Sequence, residues 1–164
     1  FCIQKLILLI LMYLSFLQKR KEKWNTEMYL SLDGKTLTLV GDYTITGYSA
    51  DSSVGIISID VSDVTKIKER SRVSVDGSIN TTRMVDGKLI IVSDFCFNRK
   101  DMNYSDPETF VPSINYGNGD QCIEFDDILY PESINSTYYS VVTLLDSENL
   151  EILGSLNCIS RKLC

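Results

Sequence analysis

The chain carries one hairpin phrase twice. "DGKTLTLVGD" runs from Asp33 to Asp42 and "DGKLIIVSD" from Asp86 to Asp94, with the two Asp-Gly pairs 53 residues apart. An Asp-Gly pair between two β-like runs is a strong hairpin signal, because a tight turn needs positive φ at the glycine. Around the first pair the residues predict strands at Glu27–Leu32 and Lys35–Tyr43, with Leu37 and Leu39 on one face and Thr36, Thr38 and Val40 on the other. "GIISIDVSD" (Gly55–Asp63) reads as a third strand and "KIKERSRVSVDG" (Lys66–Gly77) as a fourth. Around the second pair the pattern restarts with Ile79–Val85 and Lys88–Phe95, and after a long interruption continues with Tyr138–Glu148 and Leu150–Cys158. The body is therefore read as two copies of a four-stranded meander.

A meander of this kind, alone, leaves at least one apolar face in water; radial stacking covers those faces and leaves only short edges. A four-strand repeat with a period near fifty is the mark of a propeller blade. The expected fold class is all-β: about two four-stranded antiparallel blades of a β-propeller, the first over about 24–77 and the second over about 78–158. A closed ring needs at least about four blades of roughly 40–50 residues. The ring is thus incomplete, with the remaining propeller blades missing from the 164 residues, or else the copies pack as a small sandwich. The plainer alternative, one antiparallel sheet with two similar hairpins, loses ground because all four strands match between copies. "LIIV" (Leu89–Val92) is apolar throughout while Thr36 and Thr38 make the first copy half polar, so the second copy is expected to be the better buried.

An insertion of about forty residues, 95–137, splits the second copy. Loops beyond about 12–15 residues are uncommon and often functional. This one mixes carboxylates with aromatic rings, of which Tyr104, Phe110, Tyr116 and Tyr130 are the candidate ligand surface. Rings stack on apolar ligand faces while carboxylates accept hydrogen bonds. The competing reading is that the rings and prolines pin the loop to the blade and the acids are solvated. Asp120, Glu124, Asp126 and Asp127 supply hard oxygen donors for calcium, but their spacing matches no known loop pattern, so no metal site is assigned. Of the five cysteines, Cys96 and Cys122 form a candidate disulfide and Cys158 and Cys164 could close a short loop; an odd count favours free, partly buried thiols.

The ends and the charge narrow the function. Residues 1–24 carry +4 and the remainder −10, and an acidic body repels phosphate backbones, which argues against a nucleic-acid partner. There is no histidine, which removes the commonest general base and every Ser-His or Cys-His nucleophile pair. No catalytic motif and no cofactor signature appears. Residues 1–23 form an apolar segment with a basic flank at Lys19, Arg20, Lys21 and Lys23. As a helix, Phe1–Leu17 would span about 25 Å, slightly short of the ~30 Å hydrocarbon core. It is read as a membrane anchor, a signal remnant or a fragment artefact; the chain starts on Phe, which fits a fragment or a processed piece.

Three blocks carry a family resemblance: "EMYLSLDGKTLTLVGDY", "IISIDVSDVTKIKERSRVSVDGSINTTRMVDGKLIIVSD", and "DPETFVPSINYG" with the "DDILYPES" and "YYSVVTLLDSENLEILGS" stretches that follow. Over Trp24 to about Ile159 the chain resembles the secreted bacterial and archaeal β-propeller domain proteins, distant relatives of WD40 repeats. The "SRVSVDGSINTTRMVDGKLIIVSD" block and the segment from Phe110-Val111-Pro112 to Asp126–Pro131 are the most specific parts. The resemblance implies an extracytoplasmic propeller, often behind a signal or anchor, with no catalytic motif to transfer. The chain departs from the family before Trp24, where propeller strands should continue. The expected function is a non-catalytic binding or scaffold module, secreted or anchored at the cell surface, with a protein or a cell-surface glycan as partner. The alternatives are a carboxylate-based glycan-acting enzyme and a purely structural spacer.

Overall fold

The computed structural model describes residues 26–44, 52–63, 65–97, 99–115, 120–129 and 137–160. The apolar segment 1–23 lies outside the described residues, and among those described no helix is long and apolar enough to cross a membrane. The described chain is all-β, with two short 3-10 turns at Pro107–Thr109 and Phe125–Asp127.

The first meander is β1 (Thr26–Leu30), β2 (Thr36–Thr44), β3 (Ser52–Asp60) and β4 (Lys68–Asp76). The second is β5 (Ser78–Val85), β6 (Lys88–Cys96), β10 (Tyr138–Asp146) and β11 (Ile152–Ser160). Neighbours in each meander pair antiparallel, as the alternation predicts. The insertion supplies β7 (Ser113–Asn115), β8 (Asp120–Cys122) and β9 (Ile128–Leu129). These extend the edges: the sheets run β1-β2-β3-β4-β7-β8 and β5-β6-β10-β11-β9.

Both Asp-Gly turns have the expected backbone, with Gly34 at φ 71° and Gly87 at φ 73°. Their lengths differ. Asp86 and Gly87 alone separate the paired Val85 and Lys88, whereas the first turn closes through Ser31 N to Thr36 O. Leu37, opposite Leu30, therefore stands on the same rung as Leu89, opposite Met84. Strand positions match at a spacing one residue shorter than the turns, and "VGD" (Val40–Asp42) falls level with "VSD" (Val92–Asp94).

This slip decides which faces meet. In the first sheet Val40, Val54, Ile56, Val73 and Val75 point at the second sheet, and join one core with Leu89, Ile91, Val141 and Leu145. Val40 and Val92 are counterparts, yet Val40 faces this core and Val92 points away from it. The sheets thus stack front to back, as successive blades do, rather than front to front. The opposite face of the first sheet buries a second cluster of Leu37, Leu39, Ile57, Ile59 and Val61.

Burial overturns one expectation. Thr36 through Val40 are all buried, whereas β6 alternates between buried Leu89 and Ile91 and half-buried Ile90 and Val92. The first copy is the better buried. Its threonines are tolerated inside because their hydroxyls find partners: Thr38 Oγ1 donates to Ser147 O at 2.9 Å, and Thr36 Oγ1 accepts from Arg70 at 3.3 Å.

Candidate interaction surface

The insertion folds onto the sheet edges rather than hanging as a loop. Phe97 N donates to Thr137 O at 3.1 Å at its neck. Asp76 Oδ2, at the end of β4, accepts from both the backbone N and the hydroxyl of Ser113 at 2.8 Å, which seats β7 on the first sheet. Ile123 N donates to Pro112 O, and β9 pairs parallel to β11. Val111, Ile114, Ile123 and Ile128 enter the shared core, so the insertion is part of the packed body.

From that base a row of rings climbs to solvent. Tyr139 is buried in the core, and its ring centroid lies 6.0 Å from those of Phe95 and Phe97. Phe97 is 6.2 Å from Phe110, edge-on, and Phe110 is 6.1 Å from Tyr104. Tyr104 ends the row at 83% exposure. These separations suit tilted and edge-to-face aromatic pairs. A tight turn holds the outer end: Asn103 N donates to Thr109 Oγ1, Thr109 Oγ1 donates to Asp106 O, and Val111 N donates to Pro107 O.

The structure thus brings together two of the four candidate ligand-surface residues, Tyr104 and Phe110; Tyr116 and Tyr130 lie outside the described residues. Asp101, Asp106, Glu108, Glu124, Asp126 and Asp127 are all exposed. The side chain of Asp120 is not among those described; among the described residues no group of three or more His, Cys, Asp or Glu side chains is arranged to hold a metal ion.

The cysteines need two corrections. Cys96 is disulfide-bonded, so the free-thiol reading fails there, while the side chain of Cys122 lies outside the described set. Cys158 is a free thiol, so it closes no loop with Cys164.

Sequence reasoning missed the polar contacts between the sheets. The hydroxyls of Tyr29 and Thr82 both donate to Glu27 Oε2, the first at 2.6 Å, and the two hydroxyl oxygens also touch each other. The hydrogen bonds from Thr82 and Tyr29 hold the Glu27 carboxyl below its ordinary pKa, while burial and Glu27 push the Tyr29 phenol up. Asp42 Oδ1 accepts from Ile79 N at 2.8 Å, fastening β2 to β5. No local pattern announces the contact, since Tyr29 and Thr82 lie 53 residues apart and do not occupy matching rungs of the two meanders. Away from the interface, hydrogen bonds from Ser62, then Arg70, hold the Asp60 carboxyl well below the usual range. That Asx turn caps the end of β3 and has no ligand geometry.

A family model described as "Beta propeller domain" matches residues 10–160, a span that begins inside the apolar segment. No curated protein and no solved structure matches the chain.

Proposed function

The chain belongs to the beta propeller domain family, and from that premise we propose that it is a non-catalytic binding module of the cell exterior whose contact surface is the outer end of the aromatic row. Propeller domains serve in general as binding or scaffold modules, and the finer assignment rests on one observation. The row leads from buried Tyr139 to Tyr104 at 83% exposure, with Phe110 half-buried behind it. A large ring left in water but braced from below is a rigid contact, with little side-chain entropy to lose on binding. The partner is a cell-surface glycan or a protein segment that lays an apolar face on Tyr104, with Asp101, Asp106 and Glu108 nearby in the chain as acceptors.

The disulfide at Cys96 supports an oxidising compartment, since such bonds are rare in the cytosol. A carboxylate-based hydrolase would need two acids facing one substrate, and the described acids of the insertion are all exposed on the surface.

Binding of the purified chain to an array of cell-envelope glycans and to a library of extended peptides tests the assignment. Tyr104→Ala should weaken the strongest hit at least tenfold without altering the melting temperature. An unchanged affinity would show that the row is not the contact. Fractionation of tagged protein that placed it in the cytosol would sink the compartment assignment.

A further inference from the structure

Three triplets of the chain have the form Asn-x-Ser/Thr with a middle residue other than proline: Asn80-Thr81-Thr82, Asn103-Tyr104-Ser105 and Asn135-Ser136-Thr137. That form is the attachment signal for N-linked glycans, and it serves on an exposed loop of a secreted chain. Asn135 lies outside the described residues; the fold separates the other two.

Asn80 lies within β5, where its Nδ2 donates to Asp94 Oδ2 at 2.9 Å. The hydroxyl two residues on, Thr82 Oγ1, is buried at the joint between the sheets and donates to Glu27 Oε2. Both groups that a transferase must engage are committed to the fold, and reaching them means drawing β5 off β6. Asn103, Tyr104 and Ser105 are all exposed, in the tight turn at the outer end of the aromatic row. Ser105 N donates to Asn103 Oδ1 at 3.0 Å, an Asx turn that pins the amide oxygen. Asn103 Nδ2 and the Ser105 hydroxyl make no hydrogen bond among the described residues. Asn103 N donates to Thr109 Oγ1 at 2.9 Å and Asn103 O accepts from Asp106 N at 2.9 Å, so the bonds of this residue stay inside the turn. The triplet can therefore enter a transferase without any strand opening.

We propose that Asn103 is the attachment site of an N-linked glycan, and that the glycan switches off the contact at Tyr104. In the reaction Nδ2 attacks the anomeric carbon of an oligosaccharide carried on a polyprenyl phosphate. The new C–N bond replaces the C–O bond to phosphate, the lipid phosphate leaves with the electron pair, and an amide proton passes to a base of the transferase. The attached glycan stands one residue from Tyr104, in the solvent that this ring faces at 83% exposure, and its bulk screens the ring. The switch rests on the reading of Tyr104 as the contact surface; the attachment site does not.

The experiment incubates the folded full chain with a membrane fraction that holds an oligosaccharyltransferase of Asn-x-Ser/Thr specificity and its polyprenyl-linked oligosaccharide. A short acceptor peptide in the same reaction confirms turnover. Peptide mapping should find the added mass on Asn103 at no less than ten times the occupancy of Asn80. Asn103→Gln or Ser105→Ala should abolish it there, and Ser105→Thr should keep it. No mass on Asn103 in a reaction that modifies the peptide, or equal occupancy of Asn80 and Asn103, overturns the attachment site. The glycosylated chain should bind the strongest hit of the glycan and peptide screens at least tenfold more weakly than the bare chain, and equal affinity overturns the switch. If Tyr104→Ala binds that hit as tightly as wild type, the contact reading has failed and the switch with it, while the attachment site still stands or falls by the mapped mass.

Discussion

Glu27 makes the joint between the sheets sensitive to pH. Its carboxyl is held below the ordinary 4.5 by Thr82 and Tyr29, so the folded state favours the ionised form. A depressed folded pKa contributes stability that is present above the unfolded value and is lost as pH falls through the folded one. Tyr29 works in the opposite sense: its folded pKa is raised above 10.0, so its contribution is intact below that value and fades as pH rises through the folded one. Thr82→Val removes a hydroxyl that both groups share. The urea midpoints of wild type and Thr82→Val should differ most near neutral pH and converge as pH drops below about 4.5. A constant gap down to pH 2 would mean that the contact is not linked to Glu27 ionisation.

Two glycines show how a positive φ can carry different costs. Gly77 links β4 to β5 at φ +100°, and a Cβ there would stand 2.6 Å from the carbonyl oxygen of Asp94. Gly87 has φ +73°, and a Cβ there would meet nothing within 4 Å. Alanine at Gly87 bears only the left-handed penalty, about 1–2 kcal/mol. Alanine at Gly77 adds a clash with backbone that cannot swing aside, and should cost at least about 1 kcal/mol more than at Gly87. Chemical denaturation of the two variants gives the difference directly, and equal costs would show that β6 can shift at Asp94.

At the scale of elements, the insertion is the part whose attachment can be switched. Its neck is the Phe97–Thr137 contact, and Cys96 beside that neck is tied by a disulfide. Disulfides are typically worth roughly 2–4 kcal/mol. Cys96→Ser should therefore lower stability by about that much in oxidising buffer, and reductant should bring the wild type down to the variant. A variant as stable as the oxidised wild type would mean that the strands alone hold the insertion.

The meanders are legible in the sequence because each carries a turn that admits few backbones, flanked by period-two alternation. Observed strand ends differ from the expected ones by at most three residues, and the Val85, Lys88 and Tyr138 ends coincide. The insertion's strands are not legible: "SIN" and "DQC" are three residues long and owe their form to the edge of β4, through Ile114 opposite Val75, and not to any local preference. The burial of the first copy is hidden for a related reason. Thr38 looks polar in the chain, but its partner, Ser147 O, lies 109 residues away. The aromatic surface is half legible, since composition marks Tyr104 and Phe110 while the supporting rings Phe97 and Tyr139 come together only through the fold.

At the scale of the molecule, the two sheets share one core. Val40, Ile56 and Val75 of the first sheet, Leu89, Ile91 and Val141 of the second, and Val111 and Ile123 of the insertion form a single buried cluster. Removing either sheet would expose the partner's half, and each fully buried branched side chain is worth about 1.5–3 kcal/mol, against a total stability for a domain of only about 5–15 kcal/mol. Neither sheet can then stay folded alone on that side. Peptide-resolved hydrogen exchange at rising denaturant should show β3 and β10 merging into one opening transition. Leu39→Ala, in the cluster behind the first sheet, and Ile91→Ala, between the sheets, should each cost about 2–5 kcal/mol and lower that same transition. If Ile91→Ala instead splits it, so that β10 opens well before β3, then the first sheet is sustained by Leu37, Leu39, Ile57 and Ile59 alone. The stacked front would in that case be an addition to a self-sufficient sheet and not a condition of its folding.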